Sequence, residues 1–134
     1  MTTTDKGTIQ IEFGENHQPK VIFKPINGEV WLYNFELVEL FGVYIQTINS
    51  AIVAIYKNKS YLPEDTSEYH LYQSGNTIKY DKQRFNLTII IALAFHLDSW
   101  QAKLLREYFV SMILKGHSFV HYPLADDMQN FRMN

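Results

Sequence analysis

Gln46, Thr47, Asn49 and Ser50 lie among Ile45, Ile48, Ala51, Ile52 and Ile55, which recur at helical steps and would bury one face of a helix. The polar residues then occupy the opposite face, with Tyr44 just ahead of them. Asn and Gln amides can make paired hydrogen bonds to an adenine edge, and Ser and Thr hydroxyls reach bases or phosphates. Upstream, Leu37-Val38-Glu39-Leu40-Phe41-Gly42-Val43 gives a second apolar run ending on Gly42, a residue that accepts a left-handed turn conformation. Helix, tight turn and helix are therefore expected over about 34–56, at the steep angle that frees a second helix to enter a major groove.

That segment carries no Lys or Arg from Asn34 through Tyr56. Phosphate neutralisation supplies most non-specific affinity for DNA and draws on several cations. Candidates stand nearby: Lys57 and Lys59 just past the second helix, and Lys79, Lys82 and Arg84 on a Tyr-rich hairpin over about 68–85 that would form a wing. The same cations would equally serve as solvated residues that discourage pairing at a strand edge, so spacing leaves both roles open.

Other chemistries find little support. Zero Cys excludes disulfides and thiolate metal sites. His117 and His121 have i, i+4 spacing but follow Gly116 where no helix is expected, and no carboxylate completes a metal pattern. Asp126-Asp127 reads as a solvated tail, since nothing apolar surrounds it to shift a pKa. A Gly-rich phosphate loop and a Ser in a strand-to-helix elbow are both missing. The expectation is a protein that is not an enzyme and has no cofactor, metal site or catalytic residue.

The elements that must hold the helix pair follow from patterning. The 134 residues are 46% hydrophobic and 19% charged, enough for one domain with a real core. A formal charge of −2 gives no whole-molecule field toward a polyanion, so any such binding must be local. Alternation over Thr8 to Phe13 predicts a strand, and Val21 to Ile26 a second. Asn27-Gly28 suits a tight hairpin from which Glu29 to Leu32 would return antiparallel. Asn34 is a candidate cap for the first helix, and 57–67 reads as a loop. Asn86 would cap a helix from Leu87, and a last helix would begin at Asp98 with Gln101 as reciprocal cap and end before Gly116. Its core face would be Leu104, Leu105, Tyr108, Phe109, Met112 and Ile113. The tail 117–134 has no periodicity. Leu87 to Leu97 falls well short of the ~20 apolar residues of a membrane span. With no basic leader before an apolar run at the start, a cytoplasmic protein without a membrane role is expected.

Val30-Trp31-Leu32, then Leu37-Val38-Glu39-Leu40-Phe41-Gly42-Val43 and Thr47-Ile48, resemble the N-terminal half of the RhuM family of bacterial virulence-associated proteins. The second half continues in register: Tyr80 through Phe85-Asn86-Leu87, Ile90-Ile91-Ala92, Ala94-Phe95-His96-Leu97-Asp98-Ser99 and Leu105-Arg106-Glu107-Tyr108. The likeness spans roughly residues 20–115. It implies a DNA-binding domain, distantly similar to the N-terminal modules of phage antirepressors, with no established enzyme activity; without the long C-terminal extension of many full-length relatives, the bare module is expected here. Departures from the family pattern are Val38 for a smaller Ala, Tyr44 and Gln46 where Ser and a basic residue tend to open the second helix, and His96 for Arg. Arg106 matches, and is expected to be structural, pairing with Asp98 or Glu107 or capping backbone carbonyls.

The expected architecture is an α+β, winged helix-turn-helix-like domain with an N-terminal β-hairpin and two C-terminal helices at about 87–115. The expected function is binding of double-stranded DNA in transcriptional or mobile-element regulation. Tyr44, Gln46, Thr47, Asn49 and Ser50 would face the groove, with Lys57, Lys59, Lys79, Lys82 and Arg84 on phosphates. A homodimer through the last helix would multiply affinity over paired half-sites. The alternative is a non-catalytic protein-interaction module that kept the helix pair without DNA; Tyr44, Tyr56, Tyr61, Tyr69, Tyr72, Tyr80 and Tyr108 offer the aromatic, polar-tipped side chains such surfaces favour.

Overall fold

The computed structural model describes residues 6–58 and 61–116, with the backbone alone described at 70–72 and 79–82. It is an α+β structure in which two small antiparallel sheets flank five helices. The first sheet pairs β1 (Thr8–Phe13) with β2 (Pro19–Lys24), in a register that sets Ile9 opposite Phe23 and Ile11 opposite Val21. Those side chains share one face because strand residues alternate sides. Phe23 carries that face onto the last helix, with its ring 6.0 Å from Tyr108 and 6.3 Å from Phe109.

Asn27 and Gly28 both have positive φ, 53° and 77°, and Ile26 bridges Glu29, so the tight turn forms as expected. The strand expected to return from it does not. Val30 is fully buried and Trp31 N–H donates to the Lys6 carbonyl at 2.8 Å, drawing the chain away from β2. Leu32–Tyr33 (β3) pairs instead with Phe85 and Arg84, giving a second sheet of order β3-β5-β4 with β4 at Ser67–Ser74 and β5 at Thr77–Phe85. Two apolar residues, Val30 and Leu32, gain more from burial than a short return strand would gain from pairing.

α1 (Asn34–Phe41) begins at Asn34 itself, one residue earlier than a cap there would require. Glu36 supplies the cap: its Oε1 accepts from the Tyr33 N–H at 2.9 Å and from Lys6 Nζ at 2.7 Å, and Oε2 accepts from Lys6 at 2.9 Å. Gly42 ends the helix at φ 65°, with its N–H on the Val38 carbonyl. α2 (Ile45–Lys57) leaves at 105° to α1, burying Ile48, Ala51, Ile52 and Ile55 while Ile45 stays 40% exposed at its first turn.

The expected loop contains one helical turn, α3 (Pro63–Thr66), started by Pro63 and closed by Thr66 Oγ1 donating to the Leu62 carbonyl. The β4–β5 hairpin follows, turning at Gly75 with φ 65°. α4 (Leu87–His96) is capped by Asn86, whose Oδ1 accepts from Ile89 N–H, as expected. It is apolar all round, and Ile89, Ile90, Leu93 and Ala94 are fully buried at the centre of the core.

α5 (Trp100–Leu114) starts two residues later than expected, because Ser99 is its cap and accepts from Ala102 N–H at 3.2 Å. Gln101 is therefore no reciprocal cap; its side chain lies over Gly42, where an added Cβ would collide with it. On α5, Ala102, Leu105 and Phe109 are buried, Leu104, Tyr108 and Met112 are half-buried, and Ile113 faces outward. Among the described residues no single helix is long and apolar enough to cross a membrane.

Candidate nucleic-acid interface

Gly42 is what makes α2 a projecting element. Its left-handed backbone turns the chain by 105° within three residues, and the missing side chain lets Gln101 of α5 close over the corner. Val43 fills the inside of that corner against the core. With Ile48, Ala51, Ile52 and Ile55 turned inward, Tyr44, Gln46, Thr47, Asn49 and Ser50 are all exposed, Tyr44 at 81%. All five groove-facing candidates therefore stand on the outer surface of α2 and the residue before it.

They are not equally available. Asn34 Nδ2 donates to Asn49 Oδ1 at 3.1 Å, tying the start of α1 to the middle of α2 and engaging the oxygen that a paired contact with adenine would use. Gln46, Thr47 and Ser50 instead border an open cleft of ≈ 700 Å³ between α2 and the α4–α5 junction, whose other wall is His96, Asp98 and Ser99. Val53 joins the outer ridge at 63% exposure. Sequence reasoning missed it because it breaks neither the apolar stripe nor the polar face; its distance of seven residues from Gln46 is the signal that places it there, nearly two helical turns on. An exposed aliphatic side chain on such a ridge suits a thymine methyl group.

The cations divide differently. Lys57 is exposed at the end of α2. Lys59 lies outside the described residues. Lys79 and Lys82 occupy β5 opposite Tyr72 and His70, on either side of a register shift between His70 and Leu71, with their side chains outside what is described. Arg84 does not stand ready for phosphate as expected. Its Nε and Nη2 donate to Glu68 Oε1 at 3.0 and 2.7 Å, and its guanidinium packs 4.9 Å from the centre of the Trp31 ring. Cross-strand pairing sets Arg84 directly opposite Glu68, so register decides its partner.

The α4–α5 junction is architectural. Arg106 Nη1 donates to the carbonyls of Ala94 and Leu97, both at 2.7 Å, which is the carbonyl-capping role among those expected for it. At the other end of α4, Glu29 accepts from Leu87 N–H at 2.9 Å and from Asn86 Nδ2 at 3.2 Å, placing a carboxylate at a helix N-terminus. Burial raises the Tyr108 hydroxyl above its ordinary value where α5 meets β2. No cluster of three His, Asp or Glu side chains able to hold a metal occurs among the described residues; His117, His121, Asp126 and Asp127 lie outside them.

No family model, curated protein or solved structure matches this chain.

Proposed function

We propose that the protein binds double-stranded DNA, with α2 entering the major groove and the β4–β5 hairpin lying along the phosphates as a wing. The likeness to RhuM-type and antirepressor modules points to regulation of transcription or of mobile elements as the setting. One observation carries the reading: a helix set at 105° to its predecessor projects Gln46, Thr47, Ser50 and Val53 outward, side chains suited to base edges and held by no side-chain hydrogen bond or ion pair among the described residues. Phosphate contact falls to Lys57, Lys59, Lys79 and Lys82, and Arg84 acts as a brace for the wing.

One feature favours the second reading, a protein-interaction module that uses the same ridge. Arg84 is committed to Glu68 and Trp31, and Asp98 borders the cleft beside Gln46, so the immediate surroundings of α2 are poor in cations. Anisotropy of a labelled random duplex at two salt concentrations separates the readings. DNA binding predicts affinity falling steeply with salt, by about one unit of log–log slope per phosphate contact, and weakening on charge reversal at Lys79 and Lys82. No binding by the wild type in dilute buffer would assign the ridge to a protein partner.

A further inference from the structure

β1 leaves one edge unpaired. Among the described residues it pairs only with β2, in an unbroken register, and no other backbone hydrogen bond reaches it. Thr8–Phe13 contains no Lys, no Pro and no bulge, the usual devices that stop another chain from pairing there.

The edge faces a cleft. Ile9, Gln10 and Ile11, consecutive residues whose side chains point to opposite faces, all line it, so the strand presents its side rather than a face. The cleft measures ≈ 340 Å³ and lies in a fork. Just ahead of β1 the Trp31 N–H to Lys6 carbonyl bond holds the two chain segments together. Beyond it they part, β1 on one wall and Leu32, Glu36, Glu39 and Leu40 on the other.

The lining chemistry selects the occupant. Among the described residues no Lys or Arg lines the cleft. Glu36 is held by Lys6, but Glu39 is exposed and has no ion pair or hydrogen bond from its side chain among the described residues. Phe13 and Trp100, also in the lining, sit with ring centres 6.0 Å apart, 60% and 52% exposed. Exposed aromatic faces beside a carboxylate attract ammonium and guanidinium groups.

We propose that the open edge of β1 and this acidic, aromatic-rimmed cleft bind an extended basic peptide segment of a partner protein as an added strand. Backbone bonds to β1 would supply affinity, and alternate Lys or Arg side chains reaching Glu39 and the Phe13–Trp100 pair would supply selectivity. This site does not depend on the DNA reading, since its charge is opposite to what a polyanion needs.

The test titrates the full, isotope-labelled chain with the capped hexapeptide of alternating Lys and Val, following backbone amide shifts. Shifts confined to residues 8–13, 32–40 and 100–101, with about ten-fold or more weakening by Glu39→Lys, support the proposal. Glu39 is exposed, so that variant keeps its fold, and unshifted amides in α4 verify it. Three comparison ligands make it refutable: the alternating Glu and Val peptide, the Lys and Val peptide N-methylated at alternate amides, and n-butylammonium. Equal binding of either altered peptide, or identical shifts from the simple amine, overturns it. So do absence of binding, and β1 shifts that grow with protein concentration alone, which would make a second copy the occupant.

Discussion

The outer ridge of α2 and the two ends of α4 are both rich in polar side chains, yet they use them in opposite ways. At α4, Asn86, Glu29 and Arg106 have their polar atoms engaged with backbone or with one another, and among the described residues no buried side-chain nitrogen or oxygen lacks a partner. On α2, Gln46, Thr47 and Ser50 face solvent. Polar groups that close a fold are buried and matched, because an unmatched one costs the full desolvation penalty. Groups that meet a ligand must be left unmatched in water. On the proposed DNA-binding reading, the difference separates residues that build the site from residues that would act in it, and substitutions should divide along the same line.

The largest effect is expected at the corner that joins the two regions. Gly42→Ala forces a Cβ into a left-handed backbone and against the flexible end of Gln101, and should cost about 2–3 kcal/mol in urea unfolding, most of it from φ. Gln101→Ala in the same chain should recover the part due to collision and none of the part due to φ. Full recovery would mean that backbone conformation contributes nothing at this turn.

Arg106→Ala comes next. It strips a charged donor from two carbonyls at once, with an expected loss of about 2–3 kcal/mol, read as a lower urea midpoint at unchanged slope. Arg106→Lys should recover only part, since one ammonium cannot reproduce the planar fork. By contrast, Gln46→Ala with Ser50→Ala should shift stability by no more than about 0.5 kcal/mol while reducing duplex binding. A large stability loss from that pair would show that the ridge belongs to the fold after all.

Much of this was legible in the chain. Periodicity gave α2 and part of the core face of α5, though Ile113 turns outward and Ala102 inward; the apolar run behind Asn86 gave α4, and Gly42 and Asn86 marked a turn and a cap because each position needs a specific backbone or cap chemistry. What stayed hidden depended on contacts distant in sequence. The cap of α1 comes from Glu36 held by Lys6, thirty residues away. Val30 and Leu32 abandon the hairpin for a sheet completed by Phe85. Arg84 looks like a free wing cation until register places Glu68 opposite and Trp31 beneath it. For the candidate site, which residues of α2 point outward could be read from the stripe. Which of them are already engaged, as Asn49 is by Asn34, could not.

The smallest effect concerns Tyr108, which lies between the two kinds of polar residue: half-buried against Phe23 on β2, with burial raising its hydroxyl above the ordinary value. A raised acid in the folded state means that the native protein holds its proton where the unfolded chain has released it. The tyrosine's contribution to stability is therefore complete below the unfolded value, near pH ~10, and is lost as pH rises through the folded value. Unfolding followed by urea at pH 8 to 11 should show stability declining at the alkaline end, and Tyr108→Phe should flatten part of that decline. An alkaline decline left unchanged by Tyr108→Phe would mean that the α5–β2 contact does not desolvate Tyr108, and that the β1–β2 sheet is less firmly seated on α5 than the Phe23, Tyr108 and Phe109 rings imply.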